Sequence, residues 1–223
     1  MATTAEEALA SLLSELVPFW ANLTDSQQDL LARSAHLRSC AAGEHIQGAG
    51  VAFVRTGRLR AYMLSDQGRE ATLFHVGAGE CCVLAASCIL PMITFDIALD
   101  AAEDSELLIV DSRAFGAVAQ ENVHAEAFTY RQATERFSDC MWVMQQVLFM
   151  GLDTRLAIWL IDERARSGSA TITATHEEIA RHLGSAREAV SRMLKYFERE
   201  GIVSLSRGSL RIEDLPRLRA LTS

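Results

Sequence analysis

The sequence predicts an α+β protein with an N-terminal antiparallel β-roll, a long dimerisation helix and a C-terminal winged helix-turn-helix. Three observations carry this. Residues 175–201, THEEIARHLGSAREAVSRMLKYFEREG, read as two short helices about a glycine turn. From Leu37 to Asp111, short runs of β-forming residues are punctuated by glycines. Between these two regions, residues 122–150 carry an apolar seam at alternating three- and four-residue spacing. The expected parts are residues 1–120 for the roll, 121–150 for the helix and 151–223 for the winged helix.

Taken in order, AEEALASLLSELVPFW is helical and broken at Pro18, and TDSQQDLLARSA follows with Thr24 as its cap. VAFVRTG, RLRAYMLSD and REATLFHV are strands, with Gly57 and Gly68 at turns, and ITFDIALDA and SELLIVD close the roll. Ser112–Ala119 is a short helix. In the long helix Val123, Tyr130, Ala133, Phe137, Cys140, Met144 and Val147 form an a/d seam. Met141, Leu148 and Phe149 belong to a second stripe. One stripe is expected to pack on the chain's own roll and the other on the same helix of a second copy. Gly151–Asp153 reads as a hinge, DTRLAIWLIDERARSG as a helix ended by Gly168, and ATITAT as a strand.

In the helix pair, Ile179, Ala180 and Leu183 make one apolar face and Val190, Met193, Leu194 and Phe197 the other. Thr175 and Glu178 have the spacing of a capping box, and Ser185 and Glu188 repeat it. Gly184 suits a turn that needs positive φ, and Gly201 a helix stop. Arg187, Glu188, Ser191, Arg192 and Lys195 occupy the outer face, side-chain types that read bases and phosphates. IVSLS and SLRIED about Arg207-Gly208 form a hairpin, and Leu215–Leu221 a last helix.

Composition is compatible with this. The net charge of −8 argues at first against nucleic acid. Residues 1–150 hold 9 Lys+Arg against 19 Asp+Glu, giving −10, whereas residues 151–223 hold 12 against 10, giving +2. The acidic excess therefore lies outside the helix pair, and only the local field acts on phosphate. Met1–Glu15 is acidic and lacks the basic start of a secretory leader. No apolar run reaches the roughly 18 residues of a membrane span. A cytoplasmic protein without membrane association is expected. Five cysteines, odd in number and unevenly spaced, do not make a secreted disulfide framework.

The AFVRTGRLRAYMLSDQGREATLFHVGAGE segment and the ITATHEEIARHLGSAREAVSRMLKYFEREGIV segment resemble the Crp/Fnr family of bacterial transcription regulators, over about residues 15–220. The resemblance implies a cyclic-nucleotide-binding-like roll and a homodimer on double-stranded DNA, with RNA polymerase as a further partner. Carried over position by position, Arg187, Glu188, Ser191 and Arg192 fall where the family reads bases. Thr175, His176, Ser185, Lys195 and Arg207 fall where it holds phosphates. Arg187 matches one branch of the family, and the Glu188–Arg192 run EAVSR the other. An inverted repeat of TTGA or GTGA type is the expected target. The alternative for Glu188 and Arg192 is a solvated i,i+4 ion pair.

The roll departs from the nucleotide-binding members. Val83-Leu84-Ala85 stand where a ribose-holding Gly-Glu-Leu is expected, and Phe95-Asp96 where an arginine neutralises the phosphate. A phosphate beside Asp96 without a cation is unfavourable, so cyclic AMP is not the expected ligand. The same segment carries Cys81, Cys82 and Cys88. Cys82 and Cys88 bracket an expected helical turn, whose N-terminus would lower a thiol pKa. Inert core thiols, a thiol redox sensor, and haem or an iron–sulfur cluster all remain open, His75 being the candidate haem partner of Cys81 or Cys82. Cys140 could face its mate across the seam. A thiol redox enzyme is a weaker reading, since no C-x-x-C sits in a βαβ setting. A ligand-binding roll with a vestigial DNA-binding head is the remaining alternative.

Overall fold

The computed structural model describes residues 4–46, 50–66, 68–82 and 97–222, with the side chains of residues 4–7 left aside. The chain divides into two compact units, one of Met1–Met63 with Leu73–Cys140 and one of Leu64–Thr72 with Met141–Ser223.

The first unit opens with α1 (Thr4–Leu16), a short 3-10 turn at Trp20–Asn22, and α2 (Asp25–Arg33). Thr24 caps α2 in a full capping box with Gln27. The chain turns to strand earlier than Leu37, at Ala35, because Ser34 already closes α2 on Leu30 and Leu31. Strands β1 (Ala35–Cys40), β2 (Gly50–Thr56), β3 (Arg58–Leu64), β4 (Glu70–Gly77), β5 (Cys81–Cys82), β6 (Ala98–Ala101) and β7 (Ser105–Asp111) follow. They form a four-stranded sheet, β1-β7-β2-β5, and a three-stranded sheet, β4-β3-β6.

Both sheets send side chains into one core, including Phe53, Leu107 and Leu108 from the first sheet and Leu59, Ala61 and Phe74 from the second. That is the antiparallel roll. The β2–β3 corner depends on Gly57: its φ is +85°, and a Cβ there would collide with the Ser105 hydroxyl. α3 (Ser112–Glu121), capped by Asp111, and α4 (Val123–Phe149) follow, with α4 belonging to the first unit as far as Cys140 and to the second from Met141. Phe19 joins them to the core, with ring centroids 6.1 Å from Phe115 and 5.1 Å from Phe128.

The stripes of α4 divide differently from expectation. Its roll-facing side is carried by Ala125, Thr129 and Arg136, all buried. Arg136 replaces apolar packing with bonds: to Glu80 at 3.2 Å, to Asp139 at 3.1 Å, and across the Phe74 ring at 5.0 Å. Ala133 and Cys140 pack partly against this core, so Cys140 does not present itself fully to a mate. Met141, Leu148 and Phe149, the second stripe, are exposed together with the seam residues Val123, Tyr130, Phe137, Met144 and Val147.

The second unit contains α5 (Leu152–Ser167), β8 (Thr171–Thr173), α6 (His176–Leu183), α7 (Arg187–Arg199), β9 (Val203–Ser206), β10 (Ser209–Ile212) and α8 (Leu215–Ala220). Gly168 ends α5 in the left-handed conformation. The sheet order is β8-β10-β9, all antiparallel. Leu156 and Leu160 of α5, Ile179 and Leu183 of α6, Val190, Leu194 and Phe197 of α7, and Leu210 of the hairpin share one core. Ala180, a small residue, is buried in the same core.

Candidate nucleic-acid interface

The geometry of the helix pair is set locally. Thr175 Oγ1 accepts from the Glu178 amide at 3.2 Å, and Glu178 Oε2 accepts from the Thr175 amide at 2.6 Å, which completes the capping box. The Thr175 backbone bond holds the Glu178 carboxyl below its ordinary value. Gly184 takes φ +59° at the end of α6. The Ser185 amide then reaches back to the Ala180 carbonyl at 3.0 Å. This Schellman closure uses Ser185 to finish α6, so Ser185 does not cap α7. Ala186 takes the cap position instead, without a side-chain bond. Arg155 of α5 fixes the same corner by donating to the Leu183 carbonyl at 2.9 Å.

With Val190, Leu194 and Phe197 held inward, the helical period turns Arg187, Glu188, Arg192 and Lys195 outward, all exposed, with Ser191 half-buried among them. Among the described residues, no ion pair joins Glu188 to Arg192, so both side chains keep their hydrogen-bonding groups available. Beside this face lies a cleft of about 520 Å³, lined by Ala174–Glu177 at the start of α6, by Arg187, and by Ser206–Leu210 of the hairpin. Thr175, His176, Arg187 and Arg207, assigned separately from the sequence, meet in it. Ser185 and Lys195 do not line it. Ser206, Ser209 and Glu177 do, and the sequence reading passed over them. Glu177 follows His176 directly in the first turn of a capped helix, which was the signal available for finding it.

The sensor candidates separate. Cys81 and Cys82 form β5, paired with Phe53 and Ala52 of β2; the helical turn expected between Cys82 and Cys88 lies outside the described residues. Both are buried, and the Cys81 sulfur lies 3.7 Å from Gln132 Oε1. Burial pushes the Cys81 thiol up to about 12. Cys40 and Cys140 are also raised, mainly by burial.

On β4, Phe74 and Val76 enter the core that holds both cysteines, and His75 between them is half-buried. Among the described residues, no three His, Cys, Asp or Glu side chains are grouped to hold a metal ion. Cys88, Val83-Leu84-Ala85 and Phe95-Asp96 lie outside the described residues.

An antiparallel roll, a long helix and a winged helix-turn-helix with an arginine-bearing outer face define a DNA-binding transcription regulator. Residues 154–221 match the Crp-like helix-turn-helix domain. A crystal structure of a protein from Eubacterium rectale, assigned to the Crp/Fnr family of transcriptional regulators, is 36% identical. It covers 93% of this chain and 98% of that one, with a TM-score of 0.88. The chain belongs to the Crp/Fnr family. The transcriptional regulatory protein Btr of Bordetella pertussis is 26% identical over 176 residues, 75% of this chain and 71% of Btr. The c-di-GMP-responsive regulator CLP of Xanthomonas campestris shares the fold, with 17% identity, 86% of this chain and 100% of that chain covered, and a TM-score of 0.72. Among the described residues, no helix is long and apolar enough to cross a membrane.

Proposed function

We propose that the protein works as a homodimer that binds an inverted repeat of TTGA or GTGA half-sites and regulates transcription from it, without catalytic activity of its own. The observation that carries this is the outward set Arg187, Glu188, Ser191 and Arg192 beside a cleft lined by Thr175, His176 and Arg207. Arg187 and Arg192 supply the paired donors that match guanine O6 and N7, and Glu188 accepts from a base amino group. Thr175, His176, Ser185, Lys195 and Arg207 hold phosphates and so fix register. Residues 1–120 are the sensing part, 121–150 the dimer helix and 151–223 the reading head, with RNA polymerase as a partner at the promoter.

The exposed row Val123, Tyr130, Phe137, Met144 and Val147 supports the dimer, since so long an apolar stripe is seldom left to water. The signal sensed by the roll is other than cyclic AMP, a reading supported by Asp96 in the sequence position where a cation would meet phosphate. Burial of Cys81 and Cys82 favours a small molecule over direct thiol oxidation.

A gel-shift series on a duplex carrying the TTGA inverted repeat, against a scrambled duplex and across salt concentrations, tests the reading. A preference for the repeat, weakening as salt rises, is expected. Equal affinity for both duplexes, or none for either, refutes it.

A further inference from the structure

We propose that Glu177 limits the affinity of this protein for DNA: it sets a negative charge among the phosphate-holding groups and weakens binding to every duplex. This rests on the groove-reading assignment of α7.

Two adjacent glutamates open α6, and they have different employment. Glu178 is committed to the capping box through Thr175. Glu177 is exposed, and among the described residues no hydrogen bond or ion pair engages its side chain. Glu177 lines the same cleft as His176, Arg187 and Arg207. In a helix-turn-helix the first helix crosses the phosphate backbone while the second enters the groove. A phosphate that reaches this cleft meets donors from Thr175, His176, Arg187 and Arg207, and one group that can only accept. A carboxylate offers a phosphate oxygen no hydrogen bond and repels it.

The residue also has a local benefit, because an acid in the first turn complements the helix dipole. That benefit belongs to folding and does not depend on DNA. A carboxylate in the interface retains or recruits a cation on binding, so it subtracts from the counterions that the complex releases. Because phosphates carry no sequence information, the penalty falls equally on target and non-target DNA.

The test compares the full-length wild type, Glu177→Gln and Glu177→Asp by fluorescence anisotropy. One duplex carries the TTGA inverted repeat and the other is a random sequence of equal length. Glu177→Gln is expected to bind both duplexes about threefold to tenfold more tightly at about 50 mM salt, and the advantage should shrink about threefold by about 200 mM. The ratio between the two duplexes stays as in the wild type, and Glu177→Asp, which keeps the charge, behaves as the wild type.

Unchanged affinity in Glu177→Gln overturns the inference, as does a change confined to the repeat, which would make Glu177 a base reader. Tighter binding by Glu177→Asp also overturns it, since helix-end geometry and not charge would then be responsible. Failure of all three proteins on both duplexes overturns the groove-reading assignment and this inference with it.

Discussion

Arg192 is exposed on α7 and engaged by no ion pair with Glu188, so removing it should leave folding intact and change only recognition. Arg192→Ala is expected to lose about 1–3 kcal/mol of discrimination against the scrambled duplex, measured by competition binding, with an unaltered melting temperature. Cys81 behaves in the opposite way. Its thiol is neutral in the fold up to about 12, whereas the ordinary value is 9.0. The folded value is raised, so the stability this group contributes is complete below the ordinary value. It is lost as pH climbs from there toward the folded one. Iodoacetamide should therefore label Cys81 in the native protein far more slowly than in urea at the same pH. Rapid native labelling would contradict the burial argument.

Asp100 supplies the acid counterpart. Burial alone would raise its carboxyl, but bonds from His45 (2.9 Å), Arg60 (3.0 Å) and Tyr62 (3.1 Å) outweigh it and the net shift is downward. A depressed folded value means that this stability is present above the ordinary 3.8 and disappears as pH falls through the folded value. Asp100→Asn is expected to cost about 1–3 kcal/mol at neutral pH and to flatten the acid limb of the stability profile, read by urea titration.

The helices and strands differ in how openly the sequence states them. The α6 pattern was legible to the residue, because Thr175, Glu178 and Gly184 mark both ends of the helix. Thr175→Ala removes the box and should destabilise the second unit by about 1 kcal/mol, visible as a lower melting temperature of that unit. It should weaken binding of any duplex as well, since Thr175 lines the cleft.

The start of α7 was misread, because Ser185 and Glu188 imitate a box while Ser185 is already engaged in closing α6. Spacing alone does not say which neighbour claims a backbone group. β5 was missed for a related reason: two cysteines carry no alternation, and the pairing of Cys81 and Cys82 with Phe53 and Ala52 is a contact made far along the chain. In α4 the seam was legible by period, yet its inner face was not. Arg136 is 8% exposed because Glu80, Asp139 and the Phe74 ring receive it, partners that no local pattern announces.

Across the molecule, the question is what covers the outer side of α4. Phe137 is 63% exposed, Leu148 63% and Phe149 80%, on a helix of 27 residues that spans about 40 Å. A second copy of the same helix would remove this surface from water and would bring two reading heads to one duplex. Binding of the second head is then intramolecular, with an effective concentration in place of a second encounter. The roll-facing side of α4, built on Ala125, Thr129 and Arg136, does not use Phe137. A charge at that position should therefore break the seam without unfolding the first unit.

Phe137→Asp is expected to sediment as a monomer with wild-type helical content by circular dichroism. Its affinity for the TTGA inverted repeat should fall by about 10²–10⁴, while affinity for a lone half-site should match that of the wild type. The half-site arm separates lost pairing from a damaged head. A Phe137→Asp protein that stays dimeric would place the interface elsewhere. A monomer that holds the full repeat as tightly as the wild type would show that one head suffices and that the exposed stripe serves another purpose.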